Sequence, residues 1–149
     1  GLRKWSRDLG PLLFLIIDEL PVLLNDPDKG AAKEFGVILQ NIIAVGRAAG
    51  TVVVLAAQKP SADAVPTVTR DLIDYRLAFR STTRDASDII LGSGQATLGF
   101  SASDIDPSLR GVAYLRGEGP EPRLVRCYYL DDASIASRLQ RAKLFREEP

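Results

Sequence analysis

Two adjacent carboxylates, Asp18 and Glu19, interrupt an otherwise apolar stretch, PLLFLIIDELPVLL, from Pro11 to Leu24. The continuous apolar run before them reads as a strand buried on both faces of a parallel sheet, so the acids fall at its carboxyl end. A carboxylate at that place suits Mg2+, a hard cation that takes oxygen ligands and keeps much of its water shell. The next carboxylate suits a water to be polarised against a phosphate. The plainer reading is a strand cap whose acids meet solvent or a helix N-terminus. Gln58 closes a second apolar run, TVVVLAA. A neutral amide at a neighbouring strand tip hydrogen-bonds both a water and a phosphate, and so senses whether the phosphate is there. A polar residue where a strand enters a loop is the alternative, and the pairing with Asp18 and Glu19 favours the sensor. Arg47 lies off the apolar stripe of the helix between these strands. A cation in a last helical turn is favoured by the helix dipole alone. The functional alternative is an arginine finger that reaches a phosphate held by a neighbouring subunit.

These residues need elements to carry them. Between the two strands, DPDKGAAKEFGVILQNIIAVGRAAG has Phe35, Ile38, Leu39, Ile42, Val45 and Ala49 at helical spacing, with Gly50 placed as the stop. After Gln58, KPSADAVPTVTRDLIDY reads as a loop with one helical turn, and RLAFR as a third short strand. TTRDASDIILG is a short capped helix that ends at Gly92, and GVAYLRGEGPEPRLVRCYYL is a hairpin. A last helix, DDASIASRLQRAKLFREE, shows Ile135, Leu139, Ala142 and Phe145 on one face. The order is that of an α/β protein, with the first two strands parallel through a right-handed crossover. Ligands of such sheets bind at the carboxyl ends of the strands, where Asp18, Glu19 and Gln58 stand.

Composition narrows the chemistry further. The 149 residues suit one domain, and 46% hydrophobic residues suit a globular one. There is no His, which excludes His-based zinc sites and His-dependent nucleophilic catalysis. Cys127 is alone, so there is no intramolecular disulfide. No apolar run approaches a membrane span and none opens the chain as a signal peptide, so a cytoplasmic setting is expected. With 19 basic and 19 acidic residues, binding of nucleic acid by bulk charge is disfavoured, whereas a local basic loop is not.

An apolar strand that ends in Asp-Glu is the Walker B pattern of P-loop nucleotidases. The matching phosphate cradle, G-x-x-x-x-G-K-S/T, is nowhere in the chain. LGSGQATLG has glycines but no Lys and follows a helix, so it reads as a helix stop and a turn. The chain thus holds the hydrolysis half of a nucleotide site without the cradle.

LFLIIDEL, GRAAGTVVVLAAQKPS and RLAFRSTTRDASDIILGSG together resemble the second half of the FtsK/SpoIIIE motor domain. GFSASDIDPSLRGVAYL and RCYYLDD are most similar to its actinobacterial branch, with conjugative-transfer proteins of the Tra type. The resemblance runs from Leu12 to Asp132. It implies a partial RecA-like P-loop NTPase fold, with a mostly parallel sheet, a C-terminal β-hairpin and a helix. Residues 1–149 would be the C-terminal portion of one motor domain, from Walker B onward. The family consists of ATPases that form hexameric rings around double-stranded DNA and pump it, in conjugation or chromosome partition. The resemblance makes Asp18 the acid on the Mg2+ side, Glu19 the catalytic carboxylate, Gln58 the sensor and Arg47 a finger acting on the next subunit of a homo-hexamer. Lys59 and Arg70 would touch DNA from a loop that faces the pore, and solvated loop charge is the alternative for both.

Departures are local. Ala57 stands where the family has Thr, Lys59 where it has Arg, and Asp88 where it has Arg. The missing cradle implies a fragment that hydrolyses ATP poorly alone, with exposed sheet edge. A parent protein would supply the cradle and any membrane anchor. No winged-helix domain for reading DNA orientation is expected within these residues. Two alternatives remain: a protein-moving ATPase similar to type VII secretion motors, and a non-catalytic interaction module with a vestigial carboxylate pair.

Overall fold

The computed structural model describes residues 5, 6, 8, 10–59, 61 and 65–145. The expected loop after Gln58 is therefore seen at Lys59, at Ser61 and from Val65 onward, and residues 60 and 62–64 lie outside the described residues. So do residues 146–149, the expected end of the last helix.

Strand β1 (Leu13–Ile17) leads through a single-turn helix α1 (Leu20–Leu24) into the long helix α2 (Lys29–Gly46). Asp28 caps α2, and its carboxylate accepts from the amides of Gly30 and Ala31 at 2.8 and 3.1 Å. The helix tightens into a 3-10 turn, Arg47–Ala49, and stops at Gly50 with φ +77°. Only glycine fits there, because a Cβ would collide with the Trp5 ring. Strand β2 (Thr51–Leu55) then pairs parallel with β1, Leu13 opposite Thr51 through Ile17 opposite Leu55.

Helix α3 (Thr67–Asp71) connects this half to the second. There β3 (Arg76–Phe79), β4 (Val112–Arg116) and β5 (Arg123–Arg126) form an antiparallel sheet in that order, with helix α4 (Arg84–Leu91) against it. Helix α5 (Asp132–Leu144) ends the described chain. The expected parallel pairing belongs to β1 and β2, whereas the other three strands make a sheet of their own.

Each sheet has its own core. Leu20, Leu39 and Val65 are buried under β1 and β2, with Leu15, Ile17, Phe35, Ile43, Val53 and Leu55 packed around them. Leu91, Ala78, Ala102, Ile105 and Val112 form the second core. One expectation is corrected here. β1 is covered on one face only: Phe14 and Ile16 are 58% and 68% exposed, and their register partners Val52 and Val54 share that open face. The helix stripe shifts for the same reason. A sheet of two strands covers a narrow strip of α2, namely Ala32, Phe35, Leu39 and Ile43, and leaves Ile38 and Val45 in solvent. On α5 the expected stripe is present, but Ile135, Leu139 and Phe145 are all exposed.

Candidate nucleotide-hydrolysis site

The parallel ladder does not stop with the strands. The Ala56 amide donates to the Ile17 carbonyl at 2.8 Å, and the Leu20 amide to the Ala56 carbonyl at 3.0 Å. These bonds hold the two chain ends side by side where they leave the sheet. Asp18 and Glu19 occupy one end, Ala57 and Gln58 the other. The Gln58 backbone amide donates to Glu19 Oε2 at 2.9 Å. Glu19 is half-buried and opens α1 without capping it, so its carboxylate is directed across the strand ends instead. Pro21 in the first turn of α1 lacks an amide that would compete for it. Asp18 is exposed beside this contact.

The donor set fits a Mg2+ ion held mainly by water and phosphate. Among the described residues no group of three or more His, Cys, Asp or Glu side chains is placed to cage a metal. Such an ion needs one or two protein carboxylates when phosphates supply the rest, and Asp18 offers one.

Arg47 is not brought to this site within one chain. It sits in the turn before β2 and Gln58 beyond the strand's end, so the length of β2, roughly 16 Å at about 3.3 Å per residue, separates them. Its guanidinium pairs with Asp74 at 3.6 Å, both side chains being mostly exposed. A pair in that setting contributes little, about 0–1 kcal/mol, and leaves Arg47 available to another partner. Lys59 is exposed next to Gln58.

For Arg70 the geometry removes the solvated-charge alternative. Arg70 is not a free loop charge, because Nη1 donates to the Ile89 carbonyl and Nη2 to Thr67 Oγ1, each at 2.8 Å. The glycine turn is settled as a turn. Asp88 accepts from the amides of Gly94 and Ala96, both at 2.8 Å, so the chain's own carboxylate fills the place an anion would take. That bond explains Asp88, for which the sequence offered no role. Trp5 over Gly50 was also missed: contact between residues so far apart leaves no periodic signal.

No protein-family model matches the chain. DNA translocase FtsK of Staphylococcus aureus is 34% identical over 101 residues, 64% of this chain and 12% of that protein. The chain is a relative of the FtsK/SpoIIIE-type motors. It spans only a small part of the length of these curated relatives. The pCW3 conjugation coupling protein TcpA, in its monomer form with ATPγS, shares the fold with a TM-score of 0.72 at 19% identity, over 90% of this chain and 38% of TcpA. The cytoplasmic domain of the Thermomonospora curvata type VII secretion ATPase EccC does so with a TM-score of 0.62 at 23% identity, over 84% of this chain and 14% of EccC. These likenesses show that the chain shares its fold with TcpA and EccC.

Proposed function

We propose that residues 1–149 are the C-terminal portion of one RecA-like motor domain in an ATP-driven double-stranded DNA translocase. The observation that carries this reading is the contact of Glu19 with the Gln58 amide, with Asp18 exposed beside it at the ends of two parallel strands. The FtsK relatives supply the cargo: they are DNA translocases by name, and TcpA is a conjugation coupling protein. Conjugative transfer and chromosome partition are the processes this reading covers.

ATP and Mg2+, when bound, supply the phosphoanhydride and the charge neutralisation. Asp18 holds the water shell of the ion. Glu19 takes a proton from the attacking water, and Gln58 orients that water through its side-chain amide. Arg47 acts on the next subunit of a homo-hexamer, since its own site is a strand length away. Lys59 faces the DNA backbone, and its contribution weakens with salt. The phosphate cradle belongs to another segment of the parent protein. No helix among the described residues is long and apolar enough to cross a membrane; the motor works in the cytoplasm, and any membrane anchor lies elsewhere in the parent.

The test is ATP hydrolysis by the full-length parent, with and without double-stranded DNA. Glu19→Gln should lower hydrolysis by roughly 10²–10⁴-fold, the usual contribution of a general base, while ATP still binds. Near-normal turnover in that variant would return Glu19 to a strand cap. The likeness to EccC favours a second reading, a protein-moving ATPase. Hydrolysis that ignores DNA would select it, and no hydrolysis at all would select a non-catalytic module.

A further inference from the structure

Three arginines from three elements meet the end of α4. Arg70 of α3 donates to the Ile89 carbonyl at 2.8 Å, Arg76 of β3 to the Ile90 carbonyl at 3.3 Å, and Arg116 of β4 to the Leu91 carbonyl. A helix leaves its last carbonyls without intrahelical partners, and their partial negative charge favours cations. Here three consecutive carbonyls each receive a guanidinium. Gly92 makes the room, because a Cβ there would collide with the Arg116 guanidinium. Burial, and then the nearby Arg116, hold the Arg76 pKa below the usual guanidinium value, with Asp71 opposing them.

Arg70 differs from the other two in what lies behind it. Its second nitrogen is held by Thr67 Oγ1, so two bonds fix the side chain in direction. The helix that carries it is anchored on the other side. Thr69 is 1% exposed and its hydroxyl accepts from Gln40 of α2 at 3.3 Å. Val65, just before α3, is buried with Leu20 and Leu39, and Ala57 packs on the same cluster. Leu20 follows Glu19, and Ala57 precedes Gln58. The short segment from Val65 to Arg70 therefore touches both the core beneath the carboxylate site and the end of α4. Beyond α4, Asp88 holds the turn at Gly94 and Ala96.

We infer that Arg70 is a positioning residue that latches α4 to the strand-end half, so that a change at Glu19 and Gln58 shifts α4 and the turn at Gly94–Ala96. This rests on the nucleotide reading given above. The two-state element is the Glu19 carboxylate, which sits on the Gln58 amide here and turns to a water when nucleotide is bound. Its neighbours Leu20 and Ala57 move with it, Val65 follows them, and Arg70 carries the shift across.

The test is hydrogen exchange at the Gly94 and Ala96 amides in the full-length parent, with and without ATPγS. Nucleotide should change their exchange in the wild type. Arg70→Gln and Thr67→Ala should each abolish that change with nucleotide affinity kept. Arg70→Lys should fail to restore it, because an ammonium does not span the Ile89 carbonyl and Thr67 as a guanidinium does. Should Arg70→Gln not fold, Thr67→Ala decides, since it removes the support and no charge. A response that survives both variants, or is restored by Lys, overturns the latch and leaves Arg70 as mere charge. A wild type that binds nucleotide without any response at these amides also overturns it. A wild type that binds no nucleotide removes the functional reading, and the latch with it.

Discussion

The parallel pair β1–β2 and the antiparallel sheet β3–β5 each carry one covering helix, α2 and α4, and differ in how completely the core beneath is closed. Under α4, Leu91 is fully buried and every residue of its central cluster is buried too. The two buried serines there are satisfied: Ser87 Oγ accepts from the Ala102 amide at 2.8 Å, and Ser101 caps the short turn that follows. Under α2, Leu39 is as well hidden, but most of the residues packed against it are half exposed, and the far face of the sheet is open. The open half holds the carboxylates and the closed half holds no candidate catalytic group. On the function proposed above, strand ends that accept a phosphate cradle from another segment would not be sealed by their own chain, whereas the second half has no such demand.

The largest effect should expose this difference. Leu91→Ala and Leu39→Ala each delete a buried side chain, at about 2–5 kcal/mol. Leu91→Ala should cost the more, because Ala78, Ala102, Ile105 and Val112 are boxed in and close over a cavity poorly. Half-exposed Leu15, Leu24 and Phe35 have room to settle into the space left by Leu39. Urea unfolding followed by far-ultraviolet circular dichroism gives both costs. The single Trp, Trp5, packs on Gly50 and reports the parallel half alone. Equal costs with coincident transitions would make the two halves one cooperative unit and dissolve the distinction.

A smaller effect is expected on the open face. Ile16→Lys or Val54→Lys places charge where the side chain is already 68% or 45% exposed. In this chain the change in stability should stay within about 0.5 kcal/mol, as at ordinary surface sites. Self-association should fall, because the apolar patch and the unpaired strand edges beside it are the natural contacts between copies. Sedimentation of wild type and variant at several concentrations measures this. Equal association in both would show that the face is not the sticky one.

How much of this was legible in the sequence follows from the range of each signal. Local patterns read well: the Gly50 stop, the capped start of α4, the RLAFR strand and the hairpin are all written within a few residues. The strand ends read well too, since Asp18, Glu19 and Gln58 each terminate an apolar run. An unbroken apolar run does not say how many of its faces are covered, so Phe14 and Ile16 were assigned to the interior. Nor does the spacing of Phe35, Ile38, Leu39, Ile42 and Val45 say how wide a sheet lies beneath the helix. Arg70 was the least legible. A basic residue after a loop gives no hint that the carbonyl it serves lies 19 residues further on.

The smallest effect concerns α5, which belongs to neither core and buries none of its residues. Isolated helices of such length are marginal in water, so local terms decide whether it forms. Asp131 supplies the chief one, accepting from the Ser134 amide at 2.7 Å. Arg141 and Lys143 add cations to the last turn, where the helix dipole favours them. The hydrogen bond to Ser134 holds the Asp131 carboxyl below its ordinary value of 3.8. A carboxylate with a lowered folded pKa stabilises fully above the unfolded value and loses that contribution as pH falls through the folded one. The cap should therefore weaken only below pH 3.8, and the Ser134 amide resonance should report it by nuclear magnetic resonance before either core responds. Asp131→Asn keeps an acceptor without the titration, so its Ser134 resonance should stay level over the same range. A wild-type resonance equally level would mean that α5 is held by a surface it packs against, and the helix would then have to be counted with one of the two halves.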